Sequence, residues 1–259
     1  MSSLWQDIRF SFRTLSKSPG FTLMAILTMA LGIGALSSIF SVVNAVLLRK
    51  LPFEDPERLV LVDGVNLKDP GQRWTLSYPD FFDLRDRLRT FEGLAARTEA
   101  RDFALRTNEG PEMVRAEIVT SPYFPLLGIK PALGRAFTAQ EDRAPAAQRV
   151  ALLADDFWRR RYGGDPSVVG RTIILDDLDY MVVGVLQPGF HGLSDKAQLW
   201  LPLSAATVLG KDYTERRYFR WLYAVGRLEK GATLEQGRSE LTAVMRQLKT
   251  ENPDSNEFA

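Results

Sequence analysis

The sequence contains no cysteine and a single histidine, His191. The first absence removes disulfide frameworks, thiolate metal sites, cysteine nucleophiles and lipidated cysteine anchors. The second removes multi-histidine metal sites and leaves any histidine-dependent triad resting on one residue. "PGFHG" around His191 reads as a turn after a strand rather than as a catalytic loop. No glycine-rich loop ends in Gly-Lys-Ser/Thr, so a Walker-type nucleotide site is excluded. Asp176, Asp177 and Asp179 resemble part of a calcium loop, but the required glycine and the closing glutamate are missing, and the group reads as a solvated hairpin turn. "WRRRY" (158–162) reads as a solvated helix face whose arginine stems shield Trp158. This inventory gives no catalytic, cofactor-binding or metal-binding residue, and the chain is not expected to be an enzyme.

Charge of one sign is also scarce over most of the chain. Residues 1–50 hold five basic groups and one acid, a net of +4, which leaves 28 basic and 31 acidic residues in the remaining 209, a net of −3. A mildly acidic domain has no electrostatic footprint for a phosphate backbone, so nucleic acid is excluded as a partner.

What the sequence does have is a long uncharged run. Phe21 to Leu48 is 28 residues without a charge, roughly 42 Å of helix at about 1.5 Å per residue. A spanning helix needs about 20 apolar residues. The apolar part of a signal peptide is about 7–15 residues long and ends at a small-x-small site, which Val43-Asn44-Ala45 matches poorly. The run is therefore expected to be a retained transmembrane helix in contact with membrane lipid. Within it Ala30, Gly34 and Ser38 recur every four residues, a row of small side chains that allows close approach of another helix. "GIGALS" lacks the third glycine of a dinucleotide loop and does not follow a strand.

Before the run, "SLWQDIRFSFRTLSKSPG" spaces Leu4, Trp5, Ile8, Phe12 and Leu15 as one helical face, with Arg9, Arg13 and Lys17 elsewhere. That is a basic amphipathic helix suited to the headgroup region. Arg49 and Lys50 close the apolar run on its other side. Trp5, Arg9, Phe12, Arg13, Lys17, Arg49 and Lys50 are thus the candidate membrane-interface residues, and Ala30, Gly34 and Ser38 the candidate helix-packing residues. Three basic residues before the helix against two after it favour a cytoplasmic N-terminus.

Beyond the membrane run, strands and helices are mixed. Strands are expected at 58–65, on both sides of Asn108–Pro111, and at "RWLYAVGRL". A hairpin is expected about Asp176–Asp179. Helices are expected at 77–88 capped by Ser77, in one or two turns at 121–128, in a short stretch stopped by Gly163-Gly164, and in a closing segment capped by Thr233 and ended before Pro253. Without a regular βαβ repeat this is an α+β domain, read here as two subdomains, one inserted in the other, with strands from both ends sharing a sheet.

The ordered blocks "LWQDIRFSFRTLSKSPGFTLMAILTMALGIGALSSIFSVVNAVLLRKLPFEDPERLV", "LSYPDFFDLRDRLRTFEGLAA", "VTSPYFPLLGIKPALGRAFTAQED", "DDFWRRRYGGDPSVVGRTIILDD", "VVGVLQPGF", "LWLPL" and "GRLEKGATLEQGRSEL" resemble the MacB-like permeases of ABC transporters. Within that family they are similar to the acidobacterial branch of duplicated orphan permeases. Leu36-Ser37 stand where the family usually has Asn-Thr. The resemblance implies a cytoplasmic amphipathic helix (1–18), a transmembrane helix (19–50) and a periplasmic α+β core domain (51–259) in the bacterial inner membrane. It also implies three further spanning helices, so the chain reads as an N-terminal part of such a permease. The partners implied are an ABC ATPase subunit that binds ATP, a second permease copy or the missing helices, and periplasmic proteins. The expected function is to couple that ATP hydrolysis to movement of the periplasmic domain in export or mechanotransmission. The alternative is a single-pass anchored binding or scaffold module.

Overall fold

The structure is a computed structural model that describes residue 5, residues 9–10, 13, 17, 19–43, 53–66, 69–142 and 149–253. It divides into two compact units, residues 1–52 and residues 53–259.

The first unit contains one long helix, α1 (Pro19–Val43, 25 residues), about 37 Å long at about 1.5 Å per residue. Proline at its first position suits a helix start, because the missing N–H would have had no intrahelical partner there. Residues 19–37 have a mean hydropathy of 1.8, so the helix is long and apolar enough to cross a membrane. Its large side chains, Phe21, Leu23, Met24, Ile26, Met29, Leu31, Ile33, Leu36 and Phe40 among them, are exposed.

The second unit is built on an eleven-stranded mixed sheet. Its elements in chain order are β1 (Leu59–Val62), β2 (Gly64–Asn66), β3 (Asp69–Trp74), β4 (Leu76–Ser77), α2 (Tyr78–Arg87), β5 (Phe91–Arg97), β6 (Arg101–Thr107), β7 (Gly110–Val119), α3 (Tyr123–Leu127), β8 (Pro131–Gly134), β9 (Val150–Leu153), α4 (Asp155–Tyr162), β10 (Thr172–Leu175), β11 (Leu178–Leu186), β12 (Leu199–Pro202), α5 (Lys211–Glu215), β13 (Arg220–Leu228) and α6 (Leu234–Glu251). Strands run side by side in the order β1-β13-β5-β7-β12-β9-β11-β10-β6, and β2 and β3 form a separate pair.

Local chemistry sets most of these boundaries. Ser77 caps α2 by accepting the Asp80 N–H, with Pro79 in the first turn. Thr233 and Gln236 form a reciprocal capping box at the start of α6. Gly163, at φ 63°, stops α4 in the left-handed conformation. Asp176 and Asp177, at φ 46° and 63°, form the two-residue loop between β10 and β11, with the twist such a hairpin requires.

The start and the end of this unit share a sheet edge, since β1 pairs antiparallel with β13 from Leu59↔Arg227 to Val62↔Ala224. Parallel pairing of β12 with β7, from Leu199↔Ala116 to Pro202↔Val119, joins the middle of the chain to the same sheet, and the core of buried residues extends from Val62 to Leu248. Its aromatic centre is Trp200, stacked on Phe190 at 5.5 Å between centroids and met edge-on by Phe124 at 5.8 Å.

Candidate coupling site

The candidate packing and interface residues fall in the first unit. Ala30 and Gly34 are exposed on α1, and Ser38 is helical four residues further along the same row. A Cβ added to Gly34 would meet open space. Trp5, Arg9, Arg13 and Lys17 are helical and exposed. Phe12, Arg49 and Lys50 lie outside the described residues.

The opening lines of the second unit carry a site that the sequence reading did not name. Residues 53–58 lead from the apolar run into β1, and they are fastened to two elements more than 70 positions away in the chain. One is the C-terminal end of α3. The last carbonyls of a helix have no intrahelical partner, and each of those in α3 is answered. Ile129 N donates to Phe124 O and Gly128 N to Pro125 O, the paired bonds of a left-handed helix cap. Leu126 O accepts from Arg227 Nη2 at 2.7 Å and Nε at 3.2 Å. Leu127 O accepts from Glu54 N at 3.3 Å.

The second element is the end of β13. Arg227 is buried on the strand face it shares with Val225, and its guanidinium also donates to Asp55 O at 3.2 Å and Glu54 O at 2.5 Å. One buried cation therefore holds carbonyls of the leading segment and of α3 together. Arg58 repeats the device at the surface. It donates to Leu228 O at 2.9 and 2.6 Å and pairs with Glu92 and, at 3.2 Å, with Asp55. The hydrogen bond it donates to Glu92 holds the Arg58 guanidinium above its ordinary value, so Arg58 stays charged.

Backbone geometry narrows the fit further. Gly128 has φ 73°, and a Cβ there would fall 2.5 Å from the Glu54 Cβ, so no other residue lets the leading segment approach α3 so closely. Asp55 adopts φ 41°, a conformation Asp tolerates better than bulkier residues. Hydrogen bonds to a charged group contribute about 1.5–3 kcal/mol each, so Arg227 fastens the segment to β13 and α3. One sequence signal for Arg227 exists: two-residue periodicity puts it on the inward face with Val225. Its partners, about 100 and 170 positions away, leave no local trace.

The other residues weighed from sequence find plain structural partners. Asp176 Oδ1 accepts the Ala104 N–H at 2.8 Å and Asp177 pairs with Arg106. Arg159, Arg160 and Arg161 pair with Asp155, Asp156 and Glu112, and Trp158 Nε1 donates to Asp165 O at 2.9 Å. His191, half-buried, lies 3.8 Å from Asp156.

Comparison with known proteins identifies the family. Residues 22–244 match the MacB-like periplasmic core domain, and the chain belongs to that family of ABC transporter permease domains. It is 32% identical over 87 residues to the macrolide export ATP-binding/permease protein MacB of Burkholderia pseudomallei strain K96243, covering 33% of this chain and 13% of that protein. To the protein of the same name from Burkholderia thailandensis it is 28% identical over 121 residues, covering 46% and 18%. The matched part thus spans less than a fifth of these relatives. Among solved structures, the fold resembles the periplasmic region of MacB from Actinobacillus actinomycetemcomitans, with TM-score 0.57, 15% identity, and 74% of this chain and 84% of that one covered. It also resembles the extracellular domain of the noncanonic ABC-type transporter YknZ from Gram-positive bacteria, with TM-score 0.55, 14% identity, and 75% and 95% covered.

Proposed function

We propose that this chain supplies the first spanning helix and the periplasmic domain of an ABC-type permease that couples ATP hydrolysis on a partner subunit to movement outside the membrane. The observation that carries this reading is the clamp on residues 54–58, which ties the segment following the apolar helix to β13 and α3. Displacement of that segment would be delivered to β13, a strand flanked on both sides in the sheet. Residues 1–18 would lie on the cytoplasmic headgroups, with Trp5, Arg9, Phe12, Arg13 and Lys17 at that interface and Arg49 and Lys50 at the other. Residues 19–50 would cross the inner membrane and residues 51–259 would lie in the periplasm. Ala30, Gly34 and Ser38 would pack on other permease helices or a second copy. ATP would bind the partner; the relatives' name joins ATP-binding to permease in one protein and so supports the pairing of the two activities.

The test is topology together with association. The chain has no cysteine to give background labelling. A cysteine replacing Glu109, exposed in the β6–β7 turn, should react with an impermeant maleimide in intact cells, and one replacing Ser3 should react only after lysis. The tagged chain should also co-purify with an ABC ATPase. Labelling of Ser3 alone, or purification without an ATPase, would contradict the proposal.

A further inference from the structure

We propose that the groove between β1 and α6 docks an extended acidic peptide, which adds a strand to the outer edge of β1 and sets apolar side chains against α6. The strand order places β1 at one end of the sheet, while β6 at the other end turns back to pair with β7. On its inner side β1 pairs with β13 along its whole length. Among the described residues no strand pairs with its outer side. Folded proteins protect such an edge with a lysine, a proline or a bulge, because its unpaired N–H and C=O groups are a template for another chain. Leu59–Val62 reads Leu-Val-Leu-Val, and its register against β13 is unbroken. None of those devices is present in β1.

The space beside that edge is apolar. α6 packs over β13 and β5, where a Cβ added to Gly237 would fall 2.9 Å from Leu228 Cδ2 and 3.3 Å from Phe91 Cζ. Glu240 holds the helix there through the N–H groups of Arg89 and Thr90. β1 lies one strand further out and forms with the helix a groove of about 200 Å³, lined by Val60, Val62, Phe91, Leu228, Leu234 and Leu241 among others. Leu234 on the helix wall is 64% exposed, and Leu61 on the strand is 65% exposed. The groove has room for a few apolar side chains and not for a folded domain. A single strand, whose alternate side chains point to one side, fits that shape and completes the edge.

Charge selects the occupant. Asp63 and Arg238 are the charged residues at the rim. Asp63, which follows β1, is already engaged within the chain. Arg238 is exposed on α6, and among the described residues its guanidinium has no ion pair or hydrogen bond. A carboxylate on the incoming strand would give it a charge-assisted partner, and a basic strand would be repelled.

The test uses the full chain in lipid nanodiscs, which leaves no detergent to fill the groove. The probes are short N-acetylated peptides in which valine alternates with threonine and one glutamate stands at either end. They should bind, and the outward-facing amides of Leu59–Val62 should then gain protection from hydrogen exchange. Lysine in place of the glutamate should weaken binding by about fivefold or more, and Arg238→Glu should reverse that preference. N-methylation of alternate peptide residues should abolish binding, because it removes the donors of the added strand. Leu61→Lys, a change at an exposed position, should block strand addition as an edge lysine does. Failure of every peptide to bind, equal binding of acidic and basic peptides, or binding indifferent to N-methylation would overturn the proposal. Outward amides already protected without peptide would overturn it too, since a second copy or lipid would then cover the edge.

Discussion

Arg217 Nη1 donates to Asp80 Oδ1 at 2.7 Å, joining the segment before β13 to the first turn of α2 across 137 positions of chain. Asp80 is fully buried, and Arg220, whose side chain is 6% exposed, approaches its other oxygen at 3.9 Å. Burial pulls the Arg220 guanidinium below its ordinary value, and Asp80 opposes that shift. Removing one partner of a buried ion pair leaves the other uncompensated. Asp80→Ala should therefore lower the stability of the domain by about 3 kcal/mol. Asp83→Ala removes the more exposed partner of Arg217 and should cost about 1 kcal/mol or less. Thermal melts of the two variants compare them; equal losses would show that burial of Asp80 is not what matters.

Gly128→Ala should destabilise by about 1–3 kcal/mol, because it combines a positive φ with contact against Glu54. Arg227→Met keeps an unbranched apolar stem but strands the carbonyls of Glu54, Asp55 and Leu126, and it should cost about 2–4 kcal/mol. In both variants exchange protection should fall first at Arg58, whose N–H donates to Asp55 O, before it falls in β9 and β12. Uniform loss through the sheet would refute a local clamp.

At the β10–β11 hairpin the two aspartates should respond differently. Asp177→Gly relieves a left-handed residue and loses only an exposed pair with Arg106, so its effect should lie within about 1 kcal/mol of neutral. Asp176→Gly also deletes the acceptor for the Ala104 N–H and should be the more destabilising by about 1 kcal/mol. Urea melts of the pair decide the order, and the reverse order would refute this account of the turn.

Glu240 accepts the N–H groups of Arg89 and Thr90, both at 2.8 Å, and so ties α6 to the start of β5. Burial pushes its carboxyl up, but these bonds and the Arg89 charge outweigh burial and hold it below the ordinary value. A depressed folded-state value gives stability that is present at neutral pH and lost as pH falls below the ordinary carboxylate range. Glu240→Gln should therefore be less stable than the parent at pH 7, with the difference shrinking towards pH 3. A difference independent of pH would rule out the linkage.

The elements legible in the sequence are those fixed by neighbours in the chain. Ser77, Thr233, Gly163 and the Asp176–Asp177 turn act within a few residues, and the expected positions agree with what is seen. The shared edge of β1 and β13 follows from amphipathic strands at both ends. The parallel pairing of β7 with β12 was not legible, because strand order depends on packing between segments some 80 residues apart. For the same reason Arg227 looks like an ordinary charged strand residue: what singles it out is a set of distant carbonyls. The family resemblance pointed to the domain but not to this residue.

The most direct measurement of coupling is a distance under ATP turnover. Spin labels at Ser3 and Glu109, in the chain reconstituted with the proposed ABC ATPase partner, should change separation when ATP is hydrolysed. Arg227→Met or Gly128→Ala should shrink that change while hydrolysis continues. A separation indifferent to ATP, or one that changes equally in the loosened variants, would contradict transmission through the clamp.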